Sequence, residues 1–246
     1  MAHRPRPRWL TELQPAAARA VLPRVAAAVL FRYACFVVML ALSLWAENRP
    51  APHLPDLVMD RLPYVPFVDR YNHILLTLAY IPLALLLLAV DARRFVRYNV
   101  TSGLLSLLRG VCIAATGLGP VRGPDLHAGM FFAQGGRPQA AFFQALADLS
   151  TPGGLFAKDA AHVYLTKDLF FSGHTGVTFL LLLYVWPLRW LRRLMLVGHL
   201  VVVASVLLSH LHYTIDIIGA YAIAFALYVL REGWPQPTAA PERVAV

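Results

Sequence analysis

Apolar residues run along this chain in long unbroken stretches, separated by short clusters of Arg, Pro and Gly, and do not alternate with polar residues. A helix needs about 20 mostly apolar residues to cross the hydrocarbon of a bilayer. Six stretches meet that rule, near 25–46, 73–90, 99–117, 169–188, 191–209 and 211–230. Barrel strands would show as segments of about ten residues with alternating polarity. The continuous runs therefore predict an all-α integral membrane protein, a six-transmembrane-helix bundle. The first run follows the basic stretch "RPRPRW". Its length exceeds the roughly 7–15 residues of a signal-peptide core, so it reads as a retained span. Residues 1–24 are then a basic cytoplasmic tail, 25–230 the membrane domain and 231–246 a disordered cytoplasmic tail.

Composition sharpens this picture. The chain is 59% hydrophobic and 14% charged, with a mean hydropathy of +0.59, where soluble domains carry about 25% charged residues. The formal charge of +9 is spread as short Arg clusters between apolar runs. That is the distribution of topology signals and excludes a groove for nucleic acid. Lys and Arg in alternate loops number thirteen on the side of both termini and seven on the other. The positive-inside rule thus puts the N- and C-termini in the cytoplasm, and the segments around 47–72 and 118–168 on the outer, periplasmic or luminal face. Cys35 and Cys112 both lie within apolar runs, which leaves no disulfide framework or thiolate metal site. Arg32, near the cytoplasmic end of the first span, is expected to snorkel.

Two polar clusters interrupt the spans on the outer face. In "SHLHYTIDIIGAY" (209–221), His212 and Asp216 stand four apart, one helical turn, on a common stripe. A carboxylate behind an imidazole fixes the tautomer and raises the basicity of the far nitrogen. Asp216 also lies inside an apolar span, where ionisable groups are costly and commonly functional. A His and an Asp one turn apart at a helix end are more often a local hydrogen bond than a catalytic pair. The second cluster, "FFSGHTGVTFL" (170–180), puts Ser172, Gly173, His174 and Thr175 at the start of the fourth span. A helix start favours an anion; Gly173 permits close approach, Ser172 and Thr175 add hydroxyl donors and His174 can supply a proton. A phosphate suits such a site. So does a bland arrangement in which Ser172 caps the helix and His174 reaches the interface.

Taken together, "DLFFSGHT" and "HYTIDIIGAY" resemble the paired signature of the sphingomyelin synthases, a branch of the type 2 phosphatidic acid phosphatase superfamily. The matching positions are Asp168, Ser172, Gly173, His174 and Thr175, then His212, Tyr213, Asp216, Ala220 and Tyr221. Upstream, "HLPDLVMDRLPY" and "LLRGVCIAATGLGPVRG" resemble the family's Leu-Pro-Asp stretch and its Arg-containing third span. The chain departs from the signature at Thr166 and Lys167, where the family has Cys-Gly, and has Val206 where the wider superfamily often has an Arg. The resemblance implies transfer of phosphocholine or phosphoethanolamine from a glycerophospholipid to a lipid hydroxyl, ceramide-like or diacylglycerol; no cofactor is expected, and no Asp/Glu cluster that would hold a metal is evident in the sequence. His212, oriented by Asp216, would form a phosphohistidine, and His174 would act first as acid and then as base.

Candidate substrate-binding residues are Asp168, Ser172, Gly173, Thr175, Tyr213 and Arg109. Arg109, in the third span, is expected to face a phosphate or an acidic partner, Asp168 or Asp216. Asp168, near Phe170, Phe171, Tyr213 and Tyr221, is a candidate for holding a headgroup cation. His210 is a secondary candidate, and the amphipathic "AAFFQALADL" (140–149) is expected to line the lipid entrance. Two alternatives remain open from the residues. Water could resolve the intermediate, giving a lipid phosphate phosphatase or phospholipase C. Alternatively, His174, His210, His212 and Asp216 could bind a metal or relay protons in a transporter.

Overall fold

A computed structural model of the protein describes residues 15–151 and 164–234, with side chains from residue 21. The described residues form seven helices: α1 (Pro15–Glu47), α2 (Pro66–Val90), α3 (Ala92–Ala115), α4 (Ala140–Ser150), α5 (Gly173–Val185), α6 (Arg189–Leu208) and α7 (Thr214–Glu232). They contain no strand, only one isolated bridge between Phe132 and Pro138. Five helices are long and apolar enough to cross a membrane: α1 from Val21, α2, α3, α6 and α7. Together with the exposed Leu78, Leu85, Leu194, Leu200 and Ile218 on their flanks, they make this a multi-pass membrane protein.

The expectation of six span-length helices is corrected at α5, which has 13 residues instead of the twenty read at 169–188. Its ends are set by local chemistry. Ser172 caps the start, its hydroxyl accepting from the Thr175 N–H at 3.4 Å. Pro187 has no N–H to continue the ladder, and the chain tightens through Trp186 N–Leu183 O (3.3 Å) and Leu188 N–Val185 O (2.8 Å). The first helix departs in the other direction. It starts at Pro15, so part of the expected tail 1–24 is helical. Residues 1–14, 152–163 and 235–246, with the remaining tail expectations, lie outside the described residues.

Burial follows the same division. Leu180 to Val185 of α5 are all buried, enclosed by α3, α6 and α7. Short as it is, α5 is walled by protein, while the longer helices face lipid. On its other side α3 lies closely along α1, which two glycines permit. A Cβ on Gly103 would stand 3.0 Å from Phe31 Cε1, and one on Gly110 2.9 Å from Leu42 Cδ1. Arg32 of α1 turns inward rather than snorkelling. It donates to Asn99 Oδ1 at 3.3 Å and lies 5.4 and 5.5 Å from the Tyr80 and Tyr98 rings, whose faces attract a cation. The amphipathic α4 docks on α1, with Ala145 and Leu149 packed against Met39, Leu40 and Leu44.

One end of the bundle collects the last turns of α1, α3 and α6 and the first turns of α2, α5 and α7. The loops there are tied down by Val65 N–Leu208 O (2.9 Å), Gly119 N–Pro52 O (2.8 Å) and Ser172 N–Asp216 O (3.0 Å). The α5 start lies below this rim. Phe171 O meets Arg109, six residues before the last residue of α3, which at 1.5 Å per residue is a depth of about 9 Å.

Candidate active site

His212 ends the turn after α6 and Asp216 falls in the first turn of α7. Both are buried, the histidine with 4% exposure and the aspartate with none. Their side chains come within 3.4 Å, Nδ1 to Oδ2. That contact is not a formed hydrogen bond, since neither His212 Nδ1 nor Asp216 Oδ1 has a hydrogen-bond partner. Asp216 Oδ2 accepts instead from the Tyr213 N–H at 2.9 Å. The carboxylate thus fixes the backbone beside His212 and keeps acceptor capacity for the imidazole.

His174 sits on the second residue of α5, and its ring centroid is 6.2 Å from that of His212, at 64°. The N-terminal end of the α5 dipole lies at this gap. Ser172 links the two arms, donating its N–H to Asp216 O while its side chain caps α5. Thr175 Oγ1 is buried nearby without a hydrogen bond. Gly173 provides close approach, but to Arg109: a Cβ there would stand 3.1 Å from Cζ and Nε.

Arg109 spends its guanidinium on the protein. Nε donates to Phe171 O at 2.6 Å, Nη2 to Asp168 O at 2.8 Å, and Nη1 pairs with Asp168 Oδ1 at 2.9 Å, with Met39 Sδ at 3.2 Å. The acidic partner is therefore Asp168. Asp168 also accepts from Ser43 Oγ at 2.9 Å, so this ion pair holds the extended stretch leading into α5 against α1 and α3.

The loop after α1 grips the other arm. Asp56 accepts from Thr214 N at 2.6 Å and Thr214 Oγ1 at 2.9 Å, satisfying an orphan donor at the α7 start. Partial burial pushes the Asp56 carboxyl up, but hydrogen bonds from Thr214, Met59 and Val58 outweigh it and hold the group below its ordinary value. Tyr213 OH receives the Leu54 N–H at 3.0 Å and reaches Gly119 O at 3.1 Å. Asp56 was not among the candidates; its only signal was its place in the "HLPD" stretch. Beside it lies a half-open cavity of about 280 Å³ lined by His53, Asp56, Tyr64, Arg122, His210 and Tyr213. His174 and His212 do not line it. His210 belongs to this cavity, with Nε2 3.1 Å from Leu62 O. Tyr221 lies deeper, bonded through its hydroxyl to His199 Nε2 at 2.7 Å. Among the described residues no group of three His, Cys, Asp or Glu is placed to hold a metal ion.

Residues 167–232, the stretch from Lys167 to the end of α7, match the family described as PAP2 superfamily C-terminal. Over 224 residues and 88% of its length, the chain is 25% identical to sphingomyelin synthase-related protein 1 of Homo sapiens and of Mus musculus. It spans about half of these relatives, 52% and 45% of their lengths. The family expected from the paired motifs is thereby borne out. The matched segment holds every candidate site residue except Arg109.

Proposed function

We propose that this protein, whose last three helices match the PAP2 superfamily C-terminal family, is a sphingomyelin synthase-like phosphotransferase. It moves phosphocholine or phosphoethanolamine from a glycerophospholipid to a lipid hydroxyl such as that of ceramide. The observation that carries this reading is the pair of imidazoles 6.2 Å apart, one against a buried carboxylate and the other at a helix N-terminus. In the first step His212 Nε2 attacks phosphorus. The bond to the diacylglycerol oxygen breaks, and His174 as imidazolium gives that oxygen its proton. Asp216 stabilises the charge left on the His212 ring. In the second step the acceptor hydroxyl passes its proton to the now neutral His174 as its oxygen attacks phosphorus. The P–N bond breaks and His212 is restored. Negative charge on the phosphoryl oxygens faces the positive end of α5, while Arg109, committed to Asp168 and Phe171, acts as a positioning residue.

On this reading α5 completes six crossings, both termini are cytoplasmic and the site faces the outer or luminal side. Arg93, Arg94, Arg97, Arg189, Arg192 and Arg193 cluster at the opposite end. The test uses purified protein in mixed micelles with headgroup-labelled phosphatidylcholine or phosphatidylethanolamine, with and without ceramide, beside His212→Ala. Label in a ceramide phospholipid that depends on both ceramide and His212 supports the transferase. Label leaving as free phosphocholine or phosphoethanolamine regardless of ceramide makes the same residues a hydrolase.

A further inference from the structure

Glu47, the last residue of α1, is fully buried, and every group it meets is a donor. Oε1 receives the Thr166 N–H at 2.7 Å, the Thr166 hydroxyl and His127 Nδ1 at 2.8 Å; Oε2 receives the Lys167 N–H at 2.8 Å. The Lys167 ammonium lies in the same knot, bonded to Asp125 Oδ1 and Oδ2 at 2.7 and 2.9 Å and to Arg49 O at 2.7 Å. Residues 165–172 form no helix or strand that could satisfy these amides. Glu47 stands in for the missing ladder, since a buried amide must find an acceptor. Thr166 and Lys167 are also the two positions where the sequence departs from the family signature, and both are committed to this knot.

The knot immediately precedes the stretch that carries the chemistry. Asp168 follows Lys167 and is fixed by Arg109 and Ser43; Phe171 O is fixed by Arg109, and Ser172 N by Asp216. The backbone is thus strung over anchored points from residue 166 to the first turn of α5, and the first anchor is Glu47. We propose that Glu47 is a positioning residue that sets the height and direction of this stretch and, through it, the place of His174 opposite His212. The catalytic part of this inference rests on the phosphotransfer reading above; the anchoring part stands on geometry alone. Every contact uses the carboxylate as acceptor, so an amide would turn one N–H₂ towards a donor. A displacement of about 1 Å at a reacting group costs about 10²-fold in rate.

The experiment compares full-length wild type, Glu47→Gln and Glu47→Asp in proteoliposomes. It measures amide hydrogen exchange across 164–172 together with kcat and KM for headgroup release or transfer. The expected result is faster exchange confined to 164–172 and the first turn of α5. In Glu47→Gln, kcat falls about 100-fold with KM within about twofold, and Glu47→Asp, which keeps the acceptor but shortens its reach, lies between. Unchanged exchange in folded Glu47→Gln overturns the anchor, and faster exchange with wild-type kcat overturns the positioning role. If wild type shows no headgroup chemistry, the phosphotransfer reading fails and exchange alone decides the anchor. Should Glu47→Gln not fold, Thr166→Val removes one of the same contacts and carries the same readouts.

Discussion

At the end of the bundle where α3 begins and α7 ends, polar groups are bonded to one another. Tyr184 donates to Glu232 Oε1 at 2.7 Å and meets Thr101 Oγ1 at 2.7 Å; Arg231 Nε donates to that hydroxyl at 2.9 Å, Arg97 pairs with Glu232 Oε2 at 2.9 Å and Arg94 donates to Tyr184 O at 3.0 Å. No buried side-chain atom there lacks a partner among the described residues. At the opposite end of the same helices, Asn72 Oδ1, Thr175 Oγ1, His212 Nδ1 and Asp216 Oδ1 are buried without a hydrogen bond. An unmet polar atom costs stability at either end. On the proposed function, the end that retains several of them keeps capacity for groups that a substrate brings.

Substitutions can break this contrast. The largest effect is expected at the unsaturated end and on rate: on the proposed mechanism His212→Ala abolishes transfer, and His174→Ala lowers it by about 10²- to 10⁴-fold. Both variants should melt close to wild type. Initial rates and thermal denaturation of the same preparations check the pair, and a His174→Ala enzyme of wild-type rate would remove that residue from the mechanism. Next comes Arg109→Met, which leaves Asp168 uncompensated and strips donors from two carbonyls. Breaking a buried pair costs about 3–5 kcal/mol, so both the melting temperature and activity should fall.

Tyr184→Phe, at the saturated end, should cost about 1–3 kcal/mol by leaving Glu232 and Thr101 a bond short, with kcat within twofold of wild type. A large loss of rate there would erase the distinction between the two ends. The smallest effect concerns pH. The folded-state value of Asp56 lies below its ordinary one, so its contribution is present above about pH 4 and is lost as pH falls through the lowered value. Melting curves of wild type should decline more steeply than those of Asp56→Asn below pH 4.

Much of the site was legible because two periodicities carried it. Alternation of spans put His174 and His212 at one end, and the 3.6-residue turn put Asp216 beside His212. The short α5 was not legible, since apolar residues continue past both of its ends, Leu169 to Phe171 before the polar Ser172–Thr175 and Trp186 to Leu188 after, while the helix starts at the Ser172 cap and stops before Pro187. The grip of Asp56 on Thr214 spans 158 positions in the chain, a separation no local pattern encodes. For Arg109 the residue type required a partner, but only folding chose Asp168 over Asp216. Gly173 was read as room for an anion; the same absence of a Cβ makes room for a guanidinium.

The recessed start of α5 bears on the rate law of the proposed reaction. Its 13 residues make a helix of about 20 Å, against about 30 Å of bilayer hydrocarbon, and the end carrying His174 is the sunken one. For headgroup transfer at that depth, donor and acceptor both arrive sideways, by diffusion in two dimensions within the leaflet. The velocity then follows their mole fractions in the surface and falls on dilution with inert lipid, even when the bulk concentration of each is held constant.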